Sequence, residues 1–372
     1  MFQSSRPLTL KGKLGRLNWL MLALVVLLAG LGTATLYSVA GGSFEPWAQR
    51  HAIRCMAGIA VLVGCGCVPA RVWQGAAAPI YLVALLLLIA VPFLGVEALG
   101  AKRWLSVGGL SIQPAEIMKV GLVLALASLY ATLPPADVSK PVWVAVALAL
   151  IAVPVALTLK QPDLGTALLF VGLGLGMMFL AGVSMGYFAC GLLAALFLLP
   201  VAASHLHDYQ RRRIETFLDP AADPQGAGYH ITQAKIALGA GGWSGQGYLN
   251  GSQNRLDFVP EKMTDFIFVV IGEEWGFIGT SIVLALFAAL IASVFAMALR
   301  TTGTFARLVI GGAALSLSIY VVINVAMVTG LIPVVGVPLP LISYGGTAML
   351  TLMVALGLAE SAHIHRGPVD RM

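Results

Sequence analysis

Long apolar runs separated by short polar segments dominate the chain and set the predicted architecture. Runs such as "LVALLLLIAVPFLGV" and "GTSIVLALFAALIASVFAMAL" approach or exceed the ~20 residues that span a bilayer as a helix. None shows the alternating period of a membrane strand, so helices and not a β-barrel are predicted. We predict ten transmembrane helices, at residues 18–40, 52–69, 75–96, 114–133, 141–160, 163–182, 186–203, 266–299, 307–329 and 343–362.

Composition agrees with this pattern. Of the 372 residues, 59% are hydrophobic and 10% are charged, whereas a soluble domain carries about a quarter charged residues. We therefore expect one all-α polytopic membrane domain over residues 1–372, with a large extracytoplasmic loop at about 204–265 between helices 7 and 8. No cleavable signal is evident before the first run. The cysteines at 55, 65, 67 and 190 fall within apolar runs and are interpreted as small packing residues.

Charge distribution suggests the orientation. With the N-terminus in the cytoplasm, ten of the 22 Lys and Arg residues lie inside, and half of the rest fall in the long loop, where the positive-inside rule loses force. Both termini are then cytoplasmic. Only Asp137, Glu360 and Asp370 of the 16 acidic residues fall inside. This asymmetry points to chemistry on the outer face, although a solvated outer surface would also explain it.

The first outer segment, "GAKRWLSVGGLSIQPAEIMK" (100–119), combines charge with a helix start. Pro114 suits the opening turn of a helix. Glu116 and Lys119 then share one helix face, either as a local ion pair or as the lining of a polar cavity. Arg103 precedes them as a candidate substrate-binding cation.

The second outer segment, "LKQPDLGTALL" (159–169), repeats the arrangement. Asp163 falls in the first turn of a helix, where the positive helix end favours an anion. Helix capping alone would explain it. The alternative is that its carboxylate also reaches a substrate or a metal ion.

The long loop contains several candidate phosphate contacts. Arg211 and Arg213, in "YQRRRIE", suit bidentate phosphate binding, or contact with lipid headgroups. Lys235 lies in "YHITQAKIAL", which has apolar residues at helical spacing. The glycine-rich "GAGGWSGQGYLNGS" that follows is interpreted as a flexible hinge more readily than as a phosphate cradle.

Two further segments suggest a cavity open to the outer face. Pro333, Pro338 and Pro340 precede "SYGG", and such irregular backbone is tolerated at membrane depth only where protein buries it or a water-filled cavity borders it. Ser343 and Tyr344 are therefore predicted to line that cavity.

Asp265, Glu273 and Glu274, in "PEKMTDFIFVVIGEEWG" (260–276), lie at the start of an apolar run of 34 residues. At ~1.5 Å per residue, that run is too long for a ~30 Å hydrocarbon core without steep tilt. We expect its first turns to project above the bilayer or to flank a polar cleft. Together Asp265, Glu273 and Glu274 suggest an active site, and Asp265 is the most accessible candidate for a general base.

Taken together, these segments resemble the SEDS family of polytopic membrane glycosyltransferases. The resemblance covers most of the chain and is carried by "GAKRWLSVGGLSIQPAEIMK", "KQPDLGTA", "DYQRRR", "GAGYHITQAKIALGAGG", "FVPEKMTDFIFVVIGEEWGFIG" and "PLPLISYGGT". "GAGYH" favours the rod-shape branch, because the division branch usually has glutamine at the histidine position. Met263 departs from the family, which often has histidine there.

The resemblance implies polymerisation of lipid II, the undecaprenyl-pyrophosphate disaccharide peptide, during cell elongation in the bacterial inner membrane. Asp265 would be the catalytic carboxylate, and Glu116, Lys119 and Asp163 would line the same cavity. It also implies a class B penicillin-binding protein as partner, other elongation proteins, and a divalent cation, Mg²⁺ or Mn²⁺; no nucleic acid is expected.

Two other functions were weighed against polymerisation. A flippase for the lipid-linked precursor could use the intramembrane ionisable residues, but it should need polar groups along the whole path, and the inner half of the predicted bundle is nearly free of charge. A scaffold for the crosslinking partner leaves the carboxylates unexplained.

Overall fold

Helices fill most of the chain, as the apolar runs predict. The computed structural model describes residues 9–98, 101–107, 110–204, 208–219, 227–256, 258 and 261–366. Its α-helices are α1 (Leu10–Leu14), α2 (Trp19–Val39), α3 (Trp47–Cys67), α4 (Ala70–Leu94), α5 (Pro114–Thr132), α6 (Pro141–Lys160), α7 (Leu164–Ala181), α8 (Met185–Ser204), α9 (Asp208–Leu218), α10 (Ala227–Gly241), α11 (Ser252–Arg255), α12 (Ile267–Leu299), α13 (Thr304–Val328) and α14 (Gly346–Ile364).

Among the described residues, nine helices are long and apolar enough to cross a membrane, namely α2 to α7 and α12 to α14. α8 adds a 20-residue helix at the seventh predicted range. A helix therefore lies at each of the ten predicted ranges, and the all-α polytopic membrane class is confirmed. Most of these helices are apolar around their whole circumference, as expected of helices that face lipid on one side and protein on the other.

Successive long helices run in opposite directions, so the bundle has two ends. The connections after α2, α4, α6 and α13 lie at one end, with Asp265 just before α12. We call this the Asp265 end. The connections after α3, α5, α7 and α12 lie at the other, which we call the Arg300 end. The unusual outer segments of the sequence all belong to the Asp265 end.

The helices enclose two apolar cores that meet at α13. One core joins α2, α3, α12 and α14 to one face of α13, and the other joins α4 to α7 to its opposite face. Small residues allow the close approach: a Cβ at Gly312 would lie 2.6 Å from the Val123 side chain of α5. Small residues at such crossings are typical of membrane helix packing, where backbones must come close to gain contact.

A small antiparallel sheet, not predicted from the sequence, lies between α4 and α5. It consists of β1 (Val96–Ala98), β2 (Ala101–Val107) and β3 (Leu110–Ile112), in the order β1-β2-β3. Its strands are too short for their alternation to stand out beside the long apolar runs. The sheet carries Arg103 and Trp104 over the Asp265 end of the bundle.

α12 is broken at Gly276, where φ is 66° and ψ is −161°. The break divides the long apolar run into two helical parts. That the first turns project above the bilayer or flank a polar cleft stays a prediction. A regular helix would pair the carbonyls of Glu273 and Glu274 with N–H groups four residues later. The glycine-rich loop satisfies these four groups instead. Its Gln246 and Gly247 N–H groups donate to the Glu273 and Glu274 carbonyls, at 2.9 and 3.0 Å. Its Gly242 and Trp243 carbonyls accept from the Phe277 and Ile278 N–H groups, at 2.9 and 3.1 Å.

Glycine is required where this loop meets the break. A Cβ at Gly245, whose φ is +80°, would lie 2.1 Å from the Glu274 carbonyl oxygen, and one at Gly241 would lie 1.9 Å from the Gly272 carbonyl oxygen. The glycines therefore permit a close fit of backbone against backbone. The predicted alternatives of hinge or phosphate cradle give way to this structural role, because the loop's hydrogen bonds are directed at α12.

Gly245→Ala tests the role of the loop. We expect it to lower the free energy of unfolding by about 1–3 kcal/mol from backbone strain alone, with the carbonyl clash added, and to lower the thermal unfolding midpoint of the detergent-solubilised protein. Gly239→Ala is the matched control, because its Cβ would meet nothing within 4 Å. Equal midpoints for the two variants would contradict the assignment.

Candidate active site

A polar cavity of about 290 Å³ lies at the Asp265 end of the bundle. Four separate regions of the chain contribute to it: the sheet with the start of α5, the start of α7, the turn before α12, and α13 with the segment that leads into α14. Its lining residues are Arg103, Trp104, Gln113, Glu116, Asp163, Thr166, Leu169, Glu261, Thr264, Asp265, Tyr320, Gly336, Val337, Pro338, Tyr344, Gly345, Gly346, Thr347 and Ala348.

Asp265 is partly buried in the turn that precedes α12, and its backbone is held from two sides. The Asn324 side-chain amide of α13 donates to the Asp265 carbonyl at 2.8 Å and to the Val337 carbonyl at 2.7 Å. The Ser343 hydroxyl donates to the Thr264 carbonyl at 2.5 Å. A Cβ at Gly336 would lie 3.5 Å from Asp265 Oδ2, so this glycine leaves space beside the carboxylate. The carboxylate is thereby fixed by its backbone, with its oxygens facing the cavity.

Within the part of the chain that the structure describes, no basic side chain forms an ion pair with the Asp265 carboxylate. Burial, and then the nearby Glu261 carboxylate, raise the pKa of Asp265 to about 6. Both effects disfavour the ionised form. Such a carboxyl can take up a proton near neutral pH, or can accept a cation in place of one.

Glu116 and Lys119 form the buried ion pair that their spacing on α5 predicts. Lys119 Nζ lies 2.7 Å from Glu116 Oε1, and the two side chains are 5% and 7% exposed. The Tyr320 hydroxyl of α13 lies 2.8 Å from Glu116 Oε2 and also accepts from Lys119. Thr351 Oγ1 of α14 lies 3.1 Å from the same carboxylate oxygen. The network ties α5 to α13 and α14, so it is structural as well as cavity-lining.

Asp163 caps a helix, as its sequence position predicts, and it also lines the cavity; contact with a substrate or a metal ion stays a prediction. It is the N-cap of α7: Oδ1 accepts from the Thr166 N–H at 3.1 Å and Oδ2 from the Thr166 hydroxyl at 2.8 Å. It also lines the cavity, where Arg103 Nε lies 3.9 Å from Oδ2. Arg103 further donates to the Gln161 and Pro162 carbonyls, so it is held against the turn before α7.

Comparison with known proteins places this arrangement in a family. A family model described as cell cycle protein FtsW/RodA/SpoVE matches residues 15–367. The chain belongs to the FtsW/RodA/SpoVE family. The SEDS resemblance of the sequence is thereby confirmed.

Relatives of the family are similar over nearly the whole chain. The peptidoglycan glycosyltransferase MrdB of Escherichia coli (strain K12) is 43% identical over 312 residues, 83% of each chain. The probable peptidoglycan glycosyltransferase FtsW of Trichlorobacter lovleyi is 33% identical over 358 residues, 93% of each chain.

Solved structures agree. A chain from a peptidoglycan synthase complex, solved for its coordination of polymerization and crosslinking, superimposes with a TM-score of 0.83 at 33% identity, covering 95% of this chain and 99% of that one. The Thermus thermophilus rod shape determining protein RodA superimposes with a TM-score of 0.71 at 29% identity, covering 94% and 97%.

Within this FtsW/RodA/SpoVE fold, four of the predicted site residues meet in the cavity: Arg103, Glu116, Asp163 and Asp265. Lys119 lies behind them instead, because its ammonium is engaged by Glu116 and Tyr320. It lines a small, mostly apolar neighbouring pocket of about 20 Å³.

Other predicted residues lie elsewhere. Ser343 is buried and positions the turn that carries Asp265, so it supports the cavity from outside the lining. Arg211, on α9, and Lys235, on α10, are exposed and are not among the lining residues. The side chain of Arg213 lies outside the described residues.

Glu273 and Glu274 anchor the outer loop. Glu273 accepts from the backbone N–H groups of Gln253, at 2.7 Å, and Asn254, at 3.2 Å, and thereby caps the short helix α11. Glu274 accepts from the Ser38 hydroxyl of α2. Both carboxylates are buried, and neither is part of the cavity lining. Of Asp265, Glu273 and Glu274, only Asp265 therefore lines the cavity, where Glu261 of the same segment joins it.

Several lining residues were missed from the sequence. Tyr320 was the most accessible to prediction, because it is a polar residue on the mostly apolar α13. Asn324, one turn later, was also missed; it supports the cavity from outside the lining. Tyr344 was predicted to line the cavity, but its contact with Arg54 was not predicted. The Arg54 guanidinium lies 4.4 Å from the centre of the Tyr344 ring. Glu261, Trp104 and Gln113 carry no local pattern that would single them out.

The described residues supply only some of the ligands that a divalent cation needs. No group of three or more His, Cys, Asp or Glu side chains in the described part of the chain comes together to hold a metal ion. Mg²⁺, however, is commonly bound by one or two carboxylates together with substrate phosphates. Asp265 and Glu261 fit that mode, because both carboxylates line the same cavity. Burial, and then the Glu261 carboxylate, raise the pKa of Asp265.

We predict that Glu116 and Lys119 are energetically coupled. Glu116→Gln or Lys119→Met alone leaves one buried charge unpaired and should destabilise the protein by about 3–5 kcal/mol. The double variant removes both charges and should be more stable than either single variant. A double-mutant cycle of thermal unfolding in detergent measures this. Additive effects of the two changes would argue against direct coupling.

Proposed function

We propose that this chain polymerises lipid II into glycan strands during cell elongation, with Asp265 as the general base on the acceptor hydroxyl. Its family relatives are peptidoglycan glycosyltransferases, and the chain is an enzyme of this class. The observation that carries the residue assignment is the position of Asp265: unlike Glu273 and Glu274, it lines the cavity, as the neighbouring Glu261 also does, and it lies on a turn fixed by Asn324 and Ser343.

In the proposed reaction, Asp265 accepts a proton while one bond forms and one bond breaks at the donor sugar. The 4-hydroxyl oxygen of the acceptor sugar forms a bond to the anomeric carbon of the donor. The bond from that carbon to the lipid pyrophosphate breaks, and undecaprenyl pyrophosphate leaves with the bonding electrons. Asp265 takes the hydroxyl proton as the attack proceeds, and a positioned base of this kind contributes roughly 10²–10⁴ in rate.

Fewer basic residues are placed to stabilise the leaving pyrophosphate than the sequence predicts. Arg103 is the only basic side chain among the described lining residues, and it is partly exposed toward the cavity. Lys119 is neutralised by Glu116. Arg103 is therefore the residue we assign to the pyrophosphate, with Arg211 and Arg213 as less direct candidates. Stabilising charge that develops in the transition state is the larger part of such catalysis.

A divalent cation, Mg²⁺ or Mn²⁺, fits beside this group. Asp265 and Glu261 would hold it together with phosphate oxygens of the substrate. When bound, it would neutralise charge on the pyrophosphate.

We place the Asp265 end on the outer face of the inner membrane and both chain ends in the cytoplasm. Residues 9 and 366 both lie at the Arg300 end, together with Lys13, Arg71, Arg300 and Arg307, in agreement with the positive-inside rule. The product strand then grows outside the cell. A class B penicillin-binding protein, together with other elongation proteins, is the partner that would crosslink it.

The flippase alternative is not supported by the interior of the bundle. A carrier needs a polar path along the whole route of the pyrophosphate. Beneath the Glu116 network, the pocket that continues from the cavity is lined mostly by Val, Leu, Ala and Gly. A second cavity lies at the Arg300 end, where the start of α2 meets the last residues of α12 and α14. It shares no lining residue with the polar cavity at the Asp265 end.

Asp265→Asn should abolish polymerisation of fluorescent lipid II by the purified protein with its penicillin-binding partner, a loss of at least about 10²-fold. The change keeps the size of the side chain and removes its basicity, so the thermal unfolding midpoint should not fall. Asp137→Asn is the control, because Asp137 pairs with Lys140 at the opposite end of the bundle. Near-normal turnover by Asp265→Asn would sink the general-base assignment.

Arg103→Ala should lower kcat/KM for lipid II by about 10²-fold, the scale of one transition-state contact. Arg211→Ala, which removes the same charge from the exposed α9, should change kcat/KM little. Thermal unfolding distinguishes lost catalysis from lost packing of the turn before α7. A larger effect at Arg211 than at Arg103 would move the pyrophosphate site from the cavity lining to the outer loop.

A further inference from the structure

A second polar cavity, of about 360 Å³, lies at the Arg300 end, where the start of α2 meets the last residues of α12 and α14. None of the proposed catalytic residues takes part in it. Its lining residues are Leu17, Asn18, Trp19, Leu20, Ser293, Ala296, Met297, Arg300, His363 and Arg366.

The charge of this cavity is of one sign. Arg300 and Arg366 are exposed and His363 is partly buried, and no carboxylate is among the lining residues. The nearest carboxylate in the hydrogen-bond network, Glu360, is fully buried and accepts from the Asn18 N–H at 3.0 Å. Glu360 thus holds the start of α2 in place from inside the bundle, behind Asn18. The open side of the cavity is basic.

Cations are expected at helix C-termini, because the helix dipole favours them there. Other basic residues at this end act in that way: Lys13 donates to the Cys67 carbonyl at 2.8 Å and Arg16 to the Ile364 carbonyl at 3.5 Å. Arg300 does not. The last carbonyls of α12 are bonded by backbone N–H groups and by the Thr301 hydroxyl, and the Arg300 guanidinium makes no hydrogen bond or ion pair to any described residue.

An apolar wall adjoins the basic side. Trp19 is 63% exposed, Leu20 61% and Leu299 86%, and tryptophan at a helix end is typical of the membrane interface. A free anion would use only the two arginines. An amphiphile would use the arginines for its headgroup and the exposed apolar side chains for its chain.

We propose that this cavity binds an anionic glycerophospholipid, with the headgroup phosphate between Arg300 and Arg366 and an acyl chain along Trp19 and Leu20. Guanidinium groups match phosphate oxygens in geometry and charge. In the orientation given above, the cavity opens at the cytoplasmic leaflet, which supplies anionic lipids. The bound lipid would join the ends of α2, α12 and α14. The proposal does not depend on the polymerase assignment.

The test uses the full-length protein in detergent, with native mass spectrometry to count bound lipids and thermal unfolding to measure stabilisation. Phosphatidylglycerol is compared with phosphatidylcholine and with inorganic phosphate. We expect phosphatidylglycerol to bind and to raise the unfolding midpoint. Arg300→Gln or Arg366→Gln should weaken its binding about fivefold each, and the double variant roughly 25-fold.

The control is the double variant Lys11→Gln, Arg307→Gln, which removes the same charge from exposed positions at the same end and should bind phosphatidylglycerol as the unmodified protein does. Equal binding of phosphatidylcholine, or unchanged binding by the Arg300 and Arg366 variants, would overturn the proposal. Stabilisation by inorganic phosphate to the same extent would assign the cavity to a free phosphate and overturn the lipid. Should the double variant fail to give a monodisperse protein, the two single variants decide the question.

Discussion

The need to satisfy every backbone polar group away from water governs the fold of this protein, and α12 is where that need is most demanding. The helix breaks at Gly276, and four backbone groups are satisfied only because the loop of residues 241–247 enters the gap. Glu273 and Glu274 then hold the rest of that loop through α11 and α2. The short half of α12, with Asp265 just before it, is thereby fixed relative to the bundle.

The same constraint shapes the other side of the cavity. The segment between α13 and α14 has no regular structure, so its carbonyls need partners from elsewhere. Asn324 supplies both of its amide hydrogens, one to the turn of Asp265 and one to Val337, and Ser343 joins the same segment to Thr264. A polar residue of a mostly apolar helix thus serves first to hold backbone, and the position of the Asp265 carboxylate follows from that.

Sequence alone predicted the helices well, because a bilayer requires long apolar runs whatever their neighbours are. It also located Glu116, Lys119, Asp163 and Asp265, since ionisable residues in such runs are rare. The sequence could not show which of the predicted residues line the cavity and which support it. Lys119 and Ser343 lie outside the lining because of contacts with α13 and with residues 261–266, which no local spacing reveals. The break in α12 was hidden for the same reason: its partner loop lies about thirty residues earlier in the chain.

The spacing of Glu116 and Lys119 has a consequence for how the protein enters the membrane during synthesis. The two residues are three apart on α5, so their charges neutralise each other as soon as that helix forms. Tyr320, which completes their hydrogen bonding, is made 201 residues after Lys119. A local pair allows α5 to be inserted long before α13 is synthesised. If the same two charges were on different helices, the first would remain unpaired in the membrane until the second helix was inserted.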